Sequence, residues 1–173
     1  MDSVVPEIDV LVSVVQWLWH RRALPLRYSI ATGQGINAQQ NRQKLEAALE
    51  AMHIPDDLRK HESFSRTGPD LEALSASEYW RIECKGALTG GPSTQRNNFD
   101  RALASVVSYY EDVDPDWPEA EPHLGLALPN TAIYMRLLND RVRQPLRKKL
   151  NLWILLYQIE GGTVASVSPD EDY

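Results

Sequence analysis

One cysteine, Cys84, stands in 173 residues. That excludes an intramolecular disulfide framework and any zinc site built from several thiolates. Long apolar runs are missing too. The longest, "VLVSVVQWLW" at 10–19, falls short of the roughly 18 residues that suggest a membrane-spanning helix. No basic segment leading into an apolar one opens the chain, so a cytoplasmic location without membrane contact is expected. An excess of positive charge is also lacking. Eighteen Lys and Arg face 24 Asp and Glu, for a net charge of −6 and a pI near 5.2. That balance argues against coating nucleic acid by bulk charge, but leaves room for a local basic groove. "TGQG" and "TGGPST" lack the Gly-Lys-Ser/Thr ending of a phosphate loop and read as turns. His20, His53, His61 and His123 show no metal-ligand spacing.

What is present is the composition of an ordinary folded domain. Hydrophobic residues at 43% and charged residues at 24% argue against disorder, collagen and coiled coil. The length suits one domain, 1–173, with a single core. Charge is uneven along the chain. "HRRALPLR" (20–27) and "RVRQPLRKK" (141–149) are basic, whereas "EDVDPDWPEAE" (111–121) and the final "DEDY" are acidic. Each run reads as a solvated face, although 140–149 could also track a phosphate backbone. Trp117, in its acidic loop, could stack on a base or simply pack.

The order of elements follows from periodicity and punctuation. Residues 6–22 predict a helix, with Pro6 in its first turn and Val10, Val14, Trp17 and Leu18 at helical spacing. A strand over 24–32 ends at a Gly-Gln-Gly turn, and a helix over 37–52 ends before Pro55. Two strands, 61–74 and 78–86, flank a short turn. A helix over 95–112 carries Phe99, Leu103, Val106 and Tyr110 as its apolar stripe. The run "HLGLALP" (123–129) predicts a strand buried on both faces. Asn130 or Thr131 caps a helix over 132–143, bent or broken near Pro145. Strands over 152–160 and 163–168 turn at Gly161-Gly162. This α-β-α-β-β-α-β-α-β-β order predicts an α/β fold: a mixed central sheet flanked by helices, with a hairpin first and parallel crossovers later.

The hairpin in "GPDLEALSASEYWRIECKG" (68–86) can be registered. Centring its turn on Ala76-Ser77 opposes Leu74 to Tyr79, Ala73 to Trp80, Glu72 to Arg81, Leu71 to Ile82 and Asp70 to Glu83. Alternation puts Asp70, Glu72, Arg81, Glu83 and Lys85 on one face. Leu71, Ala73, Trp80, Ile82 and Cys84 share the other. Cys84 thus reads as a core residue rather than a nucleophile. Opposed carboxylates repel, so Asp70 and Glu83 call for compensation. A divalent cation would supply it, since Mg²⁺ is held by one or two carboxylates with water and phosphate. Lys85 could then orient or deprotonate water, or stabilise charge on a phosphate. Alternatively, Lys85 and Arg81 neutralise the carboxylates as a solvated charge ladder.

With Pro69-Asp70 followed by Glu83-Cys84-Lys85 on a strand hairpin, the chain resembles the PD-(D/E)xK nuclease superfamily. The resemblance implies a restriction endonuclease-like αβββαβ core over residues 7 to about 128. The helix at 37–52 is then an insertion, and the segment after 130 a C-terminal α/β extension. It also implies that Asp70 and Glu83 bind Mg²⁺, with Mn²⁺ substituting, and that Lys85 acts on the attacking water. Members often carry a further acid on the first helix. Glu7 is the candidate, although the helix dipole alone also favours a first-turn glutamate. Some use a glutamine after the motif, for which Gln95 is the candidate, against a plain polar residue near the helix start. The implied activity is hydrolysis of phosphodiester bonds, in DNA first, serving restriction, repair or mobile-element defence. No separate target-recognition domain is visible, so specificity would come from loops, a homodimer or a partner. A non-catalytic nucleic-acid-binding or regulatory module retaining the fold is the alternative. A structural protein with solvated hairpin charges is a third reading.

Overall fold

The computed structural model describes residues 4–28, 36–54, 63–64, 68–87, 91–112 and 116–173. The first helix, α1 (Glu7–His20), starts after Pro6, and Glu7 and Asp9 complement the positive end of its dipole. Val10, Leu11, Val14, Val15 and Leu18 form its buried stripe. Strand β1 (Leu24–Tyr28) follows a tight turn in which Arg22 takes φ 61°. Helix α2 (Ile36–Ala51) contributes Leu45 and Leu49 to the core and packs beside α1. The predicted turn at 33–35, the end of the first predicted strand and His61 lie outside the described residues.

The single strand expected over 61–74 is instead two. Strand β2 (Ser63–Phe64) runs parallel to β1 on its outer side, while β3 (Leu71–Leu74) pairs antiparallel on the inner side. Between them Gly68 takes φ +95°, a left-handed conformation. Pro69, which follows, has no amide hydrogen for a ladder. Strand β4 (Glu78–Cys84) completes the hairpin, and the four pairs from Leu71↔Ile82 to Leu74↔Tyr79 are those read from the sequence.

Helix α3 (Pro92–Ser108) begins earlier than expected, with Pro92 in its first turn, and ends earlier too. Phe99, Ala102 and Val106 are its buried apolar residues, whereas Tyr110 lies beyond the helix and is 42% exposed. Strand β5 (Glu121–Pro129) is buried along seven of its nine residues, as its unbroken apolar run requires. Thr131 is the N-cap of α4 (Ala132–Arg141), accepting from the Tyr134 amide. The chain then breaks and restarts as α5 (Gln144–Leu150), with Pro145 in the first turn. Strands β6 (Leu152–Gln158) and β7 (Thr163–Val167) form the final antiparallel pair.

Together the strands make one open mixed sheet of seven in the order β2-β1-β3-β4-β5-β6-β7. Pairing is antiparallel from β1 to β4, parallel from β4 through β5 to β6, and antiparallel again at β7. Helices cover both faces. Trp80 meets Trp17 of α1 edge-to-face at 5.3 Å. Its neighbour Arg81, pointing the opposite way, bonds the carbonyl of Tyr109, which follows α3. No helix among the described residues is long and apolar enough to cross a membrane.

One close approach ties the N-terminal segment to the sheet. Val5 and Ala87 exchange both backbone hydrogen bonds, each 2.8 Å. Gly86 lies directly beneath, where a Cβ would fall 2.2 Å from the Val5 carbonyl oxygen and 2.7 Å from the Glu7 nitrogen. Both are backbone atoms, so no side-chain rotation relieves the clash. Gly86→Ala is therefore expected to cost about 1–3 kcal/mol by overpacking and to lower the thermal melting midpoint. Gly161→Ala, whose Cβ meets nothing closer than 3.6 Å, should leave the midpoint unchanged in the same scan.

Candidate active site

At the C-terminal end of β4 three separate chain segments bring carboxylates to one lysine. The Lys85 Nζ lies 2.9 Å from Glu83 Oε1, 3.4 Å from Glu7 Oε2 and 3.6 Å from Asp70 Oδ2. It also donates to the Cys84 carbonyl at 2.9 Å. Glu83 and Lys85 share a face because they are two residues apart on an extended chain. Glu7 arrives from the first turn of α1, held over the strand end by the Val5–Ala87 bridge and by the absence of a side chain at Gly86. The Tyr134 hydroxyl donates to the Gly86 carbonyl at 2.9 Å and fixes that corner from α4.

Asp70 reaches the cluster differently from the register argument. The ladder stops at Leu71↔Ile82, so Asp70 is not a backbone partner of Glu83. Its Oδ2 instead accepts from the Cys84 amide at 2.7 Å. This charge-assisted bond caps the end of β4. Cys84 itself is fully buried in the apolar layer, where burial pushes its thiol well above the ordinary range. It is not a nucleophile in this state.

The charge balance of the cluster is unequal. Asp70 and Glu83 are 8% and 5% exposed, and among the described residues they and Glu7 set three carboxylates against one ammonium. Burial pushes the Asp70 carboxyl up to about 7, with Lys85 opposing and Glu83 and Glu7 adding to the rise. Burial likewise raises Glu7, against the pull of Lys85. For Lys85, burial disfavours the charge, but Asp70, Glu7 and Glu83 together outweigh it and hold the ammonium above its usual value. Lys85 is thus a firm cation, a hydrogen-bond donor and not a base, while its carboxylates are in surplus.

Those donors suit a hard divalent cation, because carboxylate oxygen fits Mg²⁺ or Mn²⁺ better than it fits softer metals. Among the described residues no group of three or more His, Cys, Asp or Glu is arranged to hold a metal by itself.

No hydrogen bond among the described residues joins the Gln95 Oε1 to this cluster. Gln95 is buried in the first turn of α3, and its Oε1 has no hydrogen-bond partner among the described residues. The basic stretch near 141–149 is also less free than its letters imply. Arg147 is 1% exposed, donates to the Ser168 and Glu171 carbonyls, and lies over the Tyr173 ring at 4.5 Å. Arg141 is paired with Asp100, and Lys148 with Asp170.

Tyr109, rather than the Tyr110 of the predicted stripe, reaches the site. Its hydroxyl is 3.1 Å from Glu83 Oε2 and 3.1 Å from the Gly68 carbonyl. The spacing Phe99, Ala102, Val106, Tyr109 was the available signal, since it keeps the 3-and-4 step to the helix end. Gly86 gave no such signal, because its role depends on a contact with the remote Val5.

No protein-family model, curated protein or solved structure matches the chain.

The raised Asp70 carboxyl has a consequence for stability. Between 3.8, its ordinary value, and about 7, the folded chain keeps a proton on Asp70 that the unfolded chain has released. Folding is thus favoured at the low end of that window and weakened as pH rises through it. Lys85 stays charged throughout and adds no slope there. Asp70→Asn should flatten the fall in melting midpoint between about pH 4 and 7 and melt above wild type at pH 8, as a calorimetric series would read.

Proposed function

We propose that the chain is a Mg²⁺-dependent nuclease of the PD-(D/E)xK type that hydrolyses phosphodiester bonds, DNA first among substrates. The observation carrying this reading is the convergence of Glu7, Asp70 and Glu83 on Lys85 at one strand end. The element order supports it: α1, β1, β3, β4, α3 and β5 trace αβββαβ, with α2 and β2 as the insertion and α4 to β7 as the extension. Three antiparallel strands followed by one parallel strand place the motif hairpin inside the sheet, away from its edges.

Hydrolysis adds water across a P–O ester bond and leaves a phosphate monoester and a hydroxyl. Asp70 and Glu83 would hold the metal, and Glu7 stands close enough to Lys85 to share its hydrogen bonds. Bound there, Mg²⁺ would supply positive charge against the phosphoryl oxygens and acidify water. Lys85, kept protonated by its neighbours, donates to the attacking water or to a phosphoryl oxygen, orienting the one or stabilising charge on the other. The Asp70 bond to the Cys84 amide fixes one carboxylate oxygen before any ligand arrives, so little reorganisation is needed.

A second reading, a nucleic-acid-binding or regulatory module without catalysis, draws on the same ion pairs. Lys85 already touches all three carboxylates, so the cluster is held together without a metal. Metal binding separates the two readings. The test incubates purified protein with single- and double-stranded DNA and RNA, in Mg²⁺, Mn²⁺ or chelator, beside Lys85→Ala and Asp70→Ala. The nuclease reading expects metal-dependent cleavage, reduced about 100-fold or more by Lys85→Ala, and Mn²⁺ binding abolished by Asp70→Ala. A wild type that cleaves nothing and binds no Mn²⁺ sinks it.

A further inference from the structure

Tyr109 follows the last residue of α3 and is gripped at both ends. Its backbone carbonyl accepts from Arg81 Nη1 at 3.0 Å, and Arg81 is itself paired with Glu111 at 2.9 Å. Its phenol reaches past Arg81 along the same face of β4 to Glu83. The main chain is thereby tied to one β4 residue and the side chain to another, two positions along.

The two oxygens of Glu83 are consequently assigned to different donors. Oε1 takes the Lys85 ammonium at 2.9 Å, and Oε2 lies 3.1 Å from the Tyr109 hydroxyl. A carboxylate with a donor on each oxygen cannot rotate about its terminal torsion without losing one of them. Each oxygen keeps a second lone pair for another ligand. The same hydroxyl is 3.1 Å from the carbonyl of Gly68, two residues before Asp70. The phenol has one proton, shared between two acceptors, one on the turn that delivers Asp70 and one on the strand that delivers Glu83.

We propose that Tyr109 is a positioning residue of the site, setting the rotation of the Glu83 carboxylate and tying the Gly68–Asp70 turn to β4. The proposal rests on the nuclease reading above. Metal-orienting hydrogen bonds of this kind change affinity or activity by about 10–100-fold when removed. The hydroxyl is the only group in question, since the ring can be kept.

Isothermal titration with Mn²⁺ and steady-state cleavage in Mg²⁺ would be run on the full chain as wild type, Tyr109→Phe, Tyr110→Phe and Asp70→Ala, with thermal melting of each. Tyr109→Phe should melt cooperatively like wild type, bind Mn²⁺ about 10–100-fold more weakly, and lose kcat while KM for nucleic acid holds. Tyr110→Phe, whose hydroxyl donates to the exposed Asp112 and is given no part in the site, should match wild type. If wild type binds Mn²⁺ and cleaves, Asp70→Ala does neither, and Tyr109→Phe equals wild type, the positioning role is wrong and the nuclease reading stands. Should Tyr109→Phe lose cooperative melting, the hydroxyl serves the fold and the proposal is overturned. A wild type without Mn²⁺ binding or cleavage removes the reading on which the proposal rests.

Discussion

A largely buried ammonium facing three carboxylates has to be approached from three directions, and the chain is arranged so that it is. Lys85 follows the end of β4, Glu7 comes from the helix on one face, and Asp70 comes from the turn that precedes β3. Asp70 and Lys85 stand at the open end of one hairpin, whereas Glu7 comes from a segment remote from both in sequence. Their meeting depends on the Val5–Ala87 bridge, the bare Gly86 beneath it and the Tyr134 hydroxyl on its carbonyl. Ion clusters of this kind add little net stability, because desolvation offsets attraction. The apolar layers on both faces must therefore hold the geometry: Trp80, Ile82 and Leu71 with α1 on one side, Phe99 and Val106 of α3 on the other.

The mixed pairing of the sheet decides where that cluster falls. Strand β4 has an antiparallel partner on one side and a parallel partner on the other. The connection from β4 to β5 must leave the strand end, cross as α3 and return to the opposite end. The C-terminal end of β4 is thus free of a tight hairpin and open to α1, while α3 ends back along the same face, near Arg81. In open α/β sheets such strand ends are where ligands are held. Tyr109 closes the loop between these facts, since the helix that makes the crossover also supplies a donor to Glu83.

The hairpin was legible because its register is over-determined. Leu71, Ala73, Trp80, Ile82 and Cys84 all belong in a core, and a slip of one residue would expose every one of them. The same alternation placed Glu83 and Lys85 together. Its limit came at Asp70, where the ladder ends and a side-chain bond to the Cys84 amide takes over. The break within 61–74 turned on Gly68, whose left-handed backbone was not readable from an apparently continuous β-rich run. Helix α3 stops at Ser108 and leaves Tyr110 exposed, so helical spacing misplaced the last aromatic by one position. Arg147 looked like one of several surface cations, and only the fold shows its burial under Tyr173. Local pattern carried local structure; contacts across the chain had to be seen.

The stoichiometry of the cluster is harder to reconcile with a purely structural role than its mere presence is. A charge pair kept for the fold tends toward balance, since each unpaired charge brought out of water costs several kcal/mol. Here, among the described residues, three carboxylates share one ammonium, and burial pushes the Asp70 carboxyl up to about 7. Protonation relieves that imbalance in acid. Near and above neutral pH that relief is lost, and the oxygen donors of the cluster are of the kind that suits a hard divalent ion. Lys85 touches every carboxylate and so keeps the group assembled while the surplus waits. Among the described residues, carboxylates thus outnumber cations at the strand end where the crossover leaves the sheet open.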